Sequence, residues 1–419
     1  MTEWTHVILL SADALRADHL SCYGYERNTS PVLDELAEES IRFSRAYSAS
    51  SHTREAVPAL LTGQYPDVAI ESNYRLAIDS IASDLSAAGF STAGFHSNPF
   101  VSRAYGFDRG FDEFDDDLHF GKHKLIALAQ RAFDKLRNRH YARANEINER
   151  SLSWLDSLGD DPFFLWNHYM DTHGPYEPPE EYRQLYSDSD ISDRDAQSLY
   201  QRAIKDPESI TDAERELLID FYDAEIRYND ALIGEFLDAV RERNLLDQSL
   251  LIITSDHGDA FGEHGYYEHP RYLHDEITHV PLIVRPPGGA DGDTVTTPVS
   301  TLDVAATIGD ALETSCHYDG APLLAPQEEH RAVFSQARGE KDDRDVRRYA
   351  VRTANGSCFC DRNRETGDLE FTDCTNESVR AVLETHIDER VSYESGDRPG
   401  EAEEVDDEIN RRLEALGYK

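Results

Sequence analysis

The sequence predicts an α/β protein in which a mostly parallel sheet is sandwiched by helices, with a smaller C-terminal α+β subdomain. Three observations carry that expectation. Short apolar runs of strand length recur along the chain, rich in β-branched and aromatic residues. Amphipathic helical stretches separate them, an alternation that belongs to parallel sheets covered on both faces. At 419 residues the chain is also long enough for one large core and a smaller unit.

The elements follow in chain order. Residues 6–11 (HVILLS) read as the first buried strand. Residues 30–39 read as a helix, opened by Ser30-Pro31 and carrying Val32, Leu33, Leu36 and Ala37 on one face. Further strands are expected at 92–96, 163–168 (FFLWNH), 250–254 (LLIIT) and 280–284 (VPLIV). Helical patterning covers 125–158, with a break, and 212–242. Composition shifts near residue 326 and separates a large unit, 1–325, from a small one, 326–419. The small unit has strand-like pieces at 332–335, 349–353 and 369–372. An acidic linker, SGDRPGEAEEVDD, then leads to a closing helix with Ile409, Leu413 and Leu416 on one face.

Charge excludes more than it assigns. There are 82 Asp and Glu against 41 Lys and Arg, a net of −41, spread along the whole chain. Such a surface repels nucleic acid and anionic membrane, so neither is an expected partner. Only six of the cations are lysines. An acidic, Lys-poor globular composition fits a halophile that holds molar salt inside, where screening removes most self-repulsion. No stretch reaches the ~18 apolar residues of a membrane helix, and MTEWTHVILLSAD lacks the features of a signal peptide. A cytoplasmic location is therefore expected. The five cysteines, Cys22, Cys316, Cys358, Cys360 and Cys374, show neither disulfide-framework nor zinc spacing and are expected to be free thiols.

Chemistry concentrates at predicted strand ends, where open α/β sheets bind ligands. Asp13 follows the first strand in LLSADALRADHL, and Asp256 and His257 follow another in LLIITSDHGDAFGEHG. Two carboxylates and an imidazole brought together there suit one divalent cation. FFLWNHYMDTHGPYEPP runs from a strand into a Gly-Pro turn bearing His168, Asp171 and His173. In EHPRYLHDEITHVPLIVRPPG, His269 and His274 precede a strand, and His269 is a candidate anion-binding group.

These stretches, with ALLTGQYP and GFDRGFDEFDD, resemble the sulfatase family of the alkaline phosphatase superfamily, in the family's order and over almost the whole chain. The resemblance implies an alkaline-phosphatase-like α/β domain followed by a smaller antiparallel sheet with a helix. It implies one divalent metal held by Asp13, Asp256 and His257, acting as Lewis acid and template. The family often carries Asp-Asp where this chain has Asp13-Ala14. The lost carboxylate and gained imidazole weaken the case for calcium and leave manganese or zinc open. The family's Gly-Lys-x-His segment corresponds loosely to GFHSNP, where the Lys is absent and His96 and Asn98 are the nearest polar groups for substrate.

The family's nucleophile is a formylglycine made from Cys or Ser, and two placements compete within SASSHTREAVPALLTG. Matching on the Arg selects Ser50, while matching on Leu-Leu-Thr-Gly without a gap selects Thr53, the favoured choice. A threonine cannot become the aldehyde, so its own hydroxyl would attack. Arg54 beside it is a candidate partner for the anion, and a helix beginning near Glu55 would add its N-terminus. His173 and His269 complete the expected catalytic set, as anion-binding groups or proton donors to the leaving group. The expected activity is metal-dependent hydrolysis of a small sulfate or phosphate ester. The alternatives are a phosphodiesterase or a phosphoethanolamine- or phosphoglycerol-type transferase using Thr53, and an inactive ligand-binding member.

Overall fold

The computed structural model describes residues 5–117, 141–312, 317–340 and 343–394. Eight strands form the main sheet: β1 (His6–Ala12), β2 (Ile41–Phe43), β3 (Ser91–His96), β4 (Glu113–Asp115), β5 (Phe163–Tyr169), β6 (Ser249–Ser255), β7 (Leu282–Arg285) and β8 (Thr294–Val295). Their order is β8-β2-β7-β6-β1-β5-β3-β4. The centre, β6-β1-β5-β3-β4, is parallel, and β7 runs antiparallel to both β6 and β2. The sheet is thus mixed, with a parallel middle.

Period-two alternation in β1 explains how both faces are covered. Ile8, Leu10 and Ala12 enter the core on one side, and Val7 and Leu9 enter the core on the other. Each of these Ile, Leu and Val side chains contributes roughly 1.5–3 kcal/mol by leaving water. Helices α1 (Pro31–Glu38), α2 (Thr53–Thr62), α3 (Ala144–Leu155), α4 (Asp212–Glu242) and α5 (Leu302–Ala311) supply the facing layers. On the first side lie Leu33 of α1, Ile147 of α3 and Phe221 of α4. On the second lie Val57 and Leu60 of α2 and Val304 and Ile308 of α5. A capping box of Thr211 and Glu214 opens α4. Gly63 ends α2 at φ +64, and a Cβ there would lie 2.7 Å from Tyr318.

The C-terminal subdomain is an antiparallel sheet of β9 (Val333–Arg338), β10 (Val346–Thr353), β11 (Gly356–Asn363) and β12 (Leu369–Thr372), in that order. Helix α6 (Glu377–Glu394) covers it with Val379, Leu383 and Ile387. The first strand docks on the large domain, where Ser335 Oγ donates to Ser48 O at 2.6 Å and Gln336 N to Ala49 O at 2.8 Å.

Three expectations need correction. VPLIV is not one strand: Pro281, lacking an N–H, separates His279–Val280, which joins a second sheet, from β7. The cysteines are not all free, because β11 and the residues before α6 lie side by side and Cys358 is bonded to Cys374, with Cα atoms 3.9 Å apart. Cys22 and Cys360 are unpaired, and Cys316 lies outside the described residues. Strand β11 and helix α6 were not expected. Of the 125–158 helical pattern, α3 lies within the described residues and residues 118–140 outside them, as do the acidic linker and the closing helix with Ile409, Leu413 and Leu416.

Asp171 belongs to this scaffold. Its carboxylate accepts from Arg143 Nε at 2.8 Å and from Ala144 N at 2.9 Å, fixing the start of α3, while Arg143 also pairs with buried Glu225. Asp171→Ala leaves part of this buried ion network unbalanced and is expected to cost about 3 kcal/mol, checked by the midpoint of urea unfolding.

Candidate active site

Strand register brings the site together. In the parallel ladder Ala12 pairs with Ser255 on one side and with Tyr169 on the other. Asp13 and Asp256 therefore leave neighbouring strands at the same level, and His168, opposite Ser11, stands beside them. The turn after β1 is held by Tyr222 of α4, whose hydroxyl donates to Ala14 O at 2.7 Å and accepts from Arg16 N at 2.8 Å. Ala14 adopts φ +60, a left-handed conformation costly for a residue with a Cβ.

Both carboxylates are fully buried. Asp13 Oδ2 accepts from Asn98 Nδ2 at 2.6 Å and lies 3.2 Å from His168 Nε2. Asp256 Oδ1 accepts from His257 N at 2.9 Å and Ala14 N at 3.3 Å. The other two oxygens, Asp13 Oδ1 and Asp256 Oδ2, have no hydrogen bond among the described residues. Each lies 3.5 Å from His257 Nε2. Burial would raise Asp13, but His173, the His168 hydrogen bond and His257 outweigh it and hold the carboxyl well below its usual range. Asp256 is pushed up, by burial first and by the Asp13 charge second. That divergence is what two acids sharing one site show.

The tautomer of His257 sharpens the picture. Its Nδ1 lies 3.1 Å from Gly258 O, a contact only an Nδ1–H can make, which leaves Nε2 as the ring nitrogen free to face a cation. Thr53 Oγ1 is 3.1 Å from that nitrogen. An imidazole nitrogen, two bare carboxylate oxygens and a hydroxyl turned toward one another make a donor set that suits a divalent cation. The Asp13, His168 and Asp256 donor atoms also lie within 4.8 Å of one another. The two carboxylates fit a divalent cation with an imidazole beside them, and His168 as well as His257 stands within reach of that position.

Thr53 is the first residue of α2, and its side chain is buried. Ser50 turns elsewhere: its hydroxyl donates to Glu55 Oε2 at 2.9 Å. Arg54 stacks its guanidinium 4.0 Å from the Phe100 centroid and 5.0 Å from that of Tyr74. Glu55, also buried, is bound by Arg271 Nη1 at 2.6 Å and by Arg338 N at 3.3 Å, and these cations hold it low despite burial.

A group of imidazoles faces the same centre. Ring centroids of His257 and His269 are 4.3 Å apart, those of His173 and His269 5.0 Å, and those of His52 and His269 5.6 Å. Asp259 Oδ1 lies 2.7 Å from His269 Nδ1, while its Oδ2 accepts from Tyr176 OH at 2.7 Å. Burial, then His257, lowers His269 to about 4. His173 Nδ1 is 2.6 Å from Gly174 O.

The expected site residues thus fall into two groups. Asp13, Asp256, His257, Thr53, His173 and His269 converge, and Asn98 joins them as a donor to Asp13 rather than as an open substrate contact. His96 does not present an open polar group: it is buried against Phe114 and Trp166, and burial pushes it down to about 3. His52, Asp259, Tyr176, Glu55 and Arg271 were missed. The acidic residue two places after His257 was a usable signal for Asp259, whereas the Glu55–Arg271 pair spans 216 residues and left none.

Comparison with known proteins agrees with this architecture. Iduronate 2-sulfatase of Homo sapiens is 26% identical over 342 residues, 68% of this chain and 60% of that protein. Choline-sulfatase of Rhizobium meliloti (strain 1021) is 26% identical over 326 residues, 67% of this chain and 62% of that protein. An uncharacterized sulfatase of Escherichia coli (strain K12), YidJ, is 25% identical over 336 residues, 72% and 66% of the two chains. The matches span less than two thirds of these relatives' own length. Phosphonate monoester hydrolase of Agrobacterium radiobacter shares the fold, with a TM-score of 0.72 at 18% identity over 94% of this chain and 96% of that one. The architecture is therefore alkaline-phosphatase-like, with a large mixed sheet flanked by helices and a C-terminal antiparallel subdomain. The Sulfatase family model matches residues 5–314, well over half of the chain, and the chain belongs to the sulfatase family.

Proposed function

We propose that this protein is a metal-dependent hydrolase of small sulfate or phosphate esters that uses the Thr53 hydroxyl as nucleophile. One observation carries the reading: Thr53 Oγ1 lies 3.1 Å from His257 Nε2, the nitrogen that two bare carboxylate oxygens also face. Asp13, Asp256 and His257 would hold the metal, which when bound lowers the hydroxyl's pKa and polarises the ester's non-bridging oxygens.

The chain's own groups supply the rest. Asn98 Nδ2 fixes the rotamer of Asp13, and backbone N–H groups fix that of Asp256. The N-terminus of α2, at Thr53, directs its positive end at the arriving anion. Thr53 Oγ gives its proton to a neutral imidazole of the cluster as it attacks sulfur or phosphorus, the bond to the leaving oxygen breaks and that oxygen takes up the proton, and the group is held as an ester of Thr53 until water displaces it. His269 and His173, each engaged through Nδ1, exchange protons through Nε2 with the leaving oxygen and the entering water. His269 is neutral at rest; an anionic ester beside it favours the charged ring, which Asp259 steadies across Nδ1. Relatives named as sulfatases support hydrolysis over transfer to a second alcohol, and sulfate esters as the first substrates to try.

On an aryl sulfate and an aryl phosphate, Thr53→Ala is expected to lower kcat/KM by at least about a thousandfold. Ser50→Ala, which removes one hydrogen bond to Glu55, is expected to cost no more than about tenfold. Undiminished turnover in Thr53→Ala, or a peptide mass showing an aldehyde at Ser50, would sink the assignment. Chelation is expected to abolish turnover, with Mn²⁺ or Zn²⁺ restoring it better than Ca²⁺, because an imidazole ligand suits the transition metals; initial rates after re-addition of each ion check this.

A further inference from the structure

We propose that His264, His274 and Glu276 form a second, peripheral binding site for a transition-metal dication of the zinc type, separate from the centre at Asp13, Asp256 and His257. The donor atoms of the three residues all lie within 4.8 Å of one another. His264 Nε2 is 3.1 Å from Glu276 Oε1, and Tyr266 OH stands 3.2 Å from that same oxygen and 2.6 Å from His274 Nδ1. In a tetrahedral site with bonds of about 2.0–2.2 Å, ligand atoms sit roughly 3.4 Å apart. Donor atoms within 4.8 Å of one another therefore need to close by no more than about 1.4 Å to reach a coordination shell.

The donor chemistry selects the ion. Two imidazoles and one carboxylate suit zinc, nickel or cobalt, and an all-oxygen cation such as calcium poorly. The Tyr266 hydroxyl donates to Oε1 of a nearly buried carboxylate, and His264 Nε2 stands 3.1 Å from the same oxygen. Protons on one anionic oxygen are what a dication replaces. The ligands differ in exposure as an entry path requires: Glu276 is 9% exposed and His264 is 46% exposed, so the outer ring has open space to turn into while the inner carboxylate is enclosed. The His264 and His274 rings stack with 3.8 Å between centroids and 15° between planes, so their lone pairs run side by side and the exposed His264 ring must turn out of the stack to share a cation with His274.

Position gives the site a consequence. The segment between His264 and His274 carries His269 and Arg271, and its far end packs on the residue after His257. Gly258 N donates to Ile277 O at 2.7 Å, and a Cβ on Gly258 would lie 2.4 Å from Glu276 O. A cation joining His264 to His274 and Glu276 ties both ends of that segment together and stiffens the mount of His269 from outside.

The test counts metal on the full chain. Protein stripped by chelator is reloaded with Zn²⁺ in about 1 M KCl, which screens diffuse binding to the acidic surface, then desalted and assayed by elemental analysis. Wild type is expected to retain two zinc ions per chain. His264→Ala, at an exposed position that leaves the fold intact, is expected to retain one, and so is His274→Gln. Loss of one equivalent in His264→Ala but none in Asp256→Asn would uphold the peripheral site while counting against the catalytic centre. Wild-type stoichiometry in both histidine variants, or a single equivalent in wild type that Asp256→Asn removes, would overturn the proposal.

Discussion

Two buried carboxylates at the ends of adjacent parallel strands are the constraint around which this molecule is organised. Asp13 and Asp256 have donor atoms within 4.8 Å of each other and no access to solvent. Two such charges 4 Å apart repel by about 4 kcal/mol even at an effective dielectric of 20. Everything nearby answers that cost. Asn98, the backbone N–H groups of Ala14 and His257, and His168 supply donors, and Trp166 Nε1 donates to Ser11 Oγ behind His168. Two oxygens are still left bare, and they point at one imidazole nitrogen. The strain at Ala14 and the long reach of α4 to hold its carbonyl belong to the same arrangement.

Much of this was legible in the sequence because strands announce themselves locally. HVILLS, FFLWNH and LLIIT are apolar at strand length, and the residues just past them carry the acids. Leu-Leu-Thr-Gly likewise fixed the choice of Thr53 by counting, and the structure sets that hydroxyl, rather than Ser50, beside His257. Asp212–Glu242 follows its sequence pattern to the residue.

What was not legible depends on distance in the chain. Asp171 read as part of a functional loop, yet it is committed to Arg143 and α3, a partnership created only by folding. His96 read as a substrate group because of its neighbours in sequence, and the register instead sets it against Phe114 and Trp166. Strand β11, SCFCDR at its heart, was hidden because Ser357, Asp361 and Arg362 flank a short Cys-Phe-Cys run that lacks the β-branched residues of the other strands. Helix α6 was hidden by charge, although Val379, Leu383 and Ile387 recur every four residues and were there to be counted.

Glu55 shows how the two parts of the chain depend on each other. It is buried two residues after Thr53, and its compensating cations, Arg271 and Arg338, come from a late loop of the large domain and from the first strand of the subdomain. Nearly three hundred residues separate Glu55 from the second of them. During synthesis the segment bearing Thr53 therefore leaves the ribosome long before its charge partners exist. The buried carboxylate of the Thr53 helix is fully paired only when Arg338, in the last quarter of the protein, has arrived.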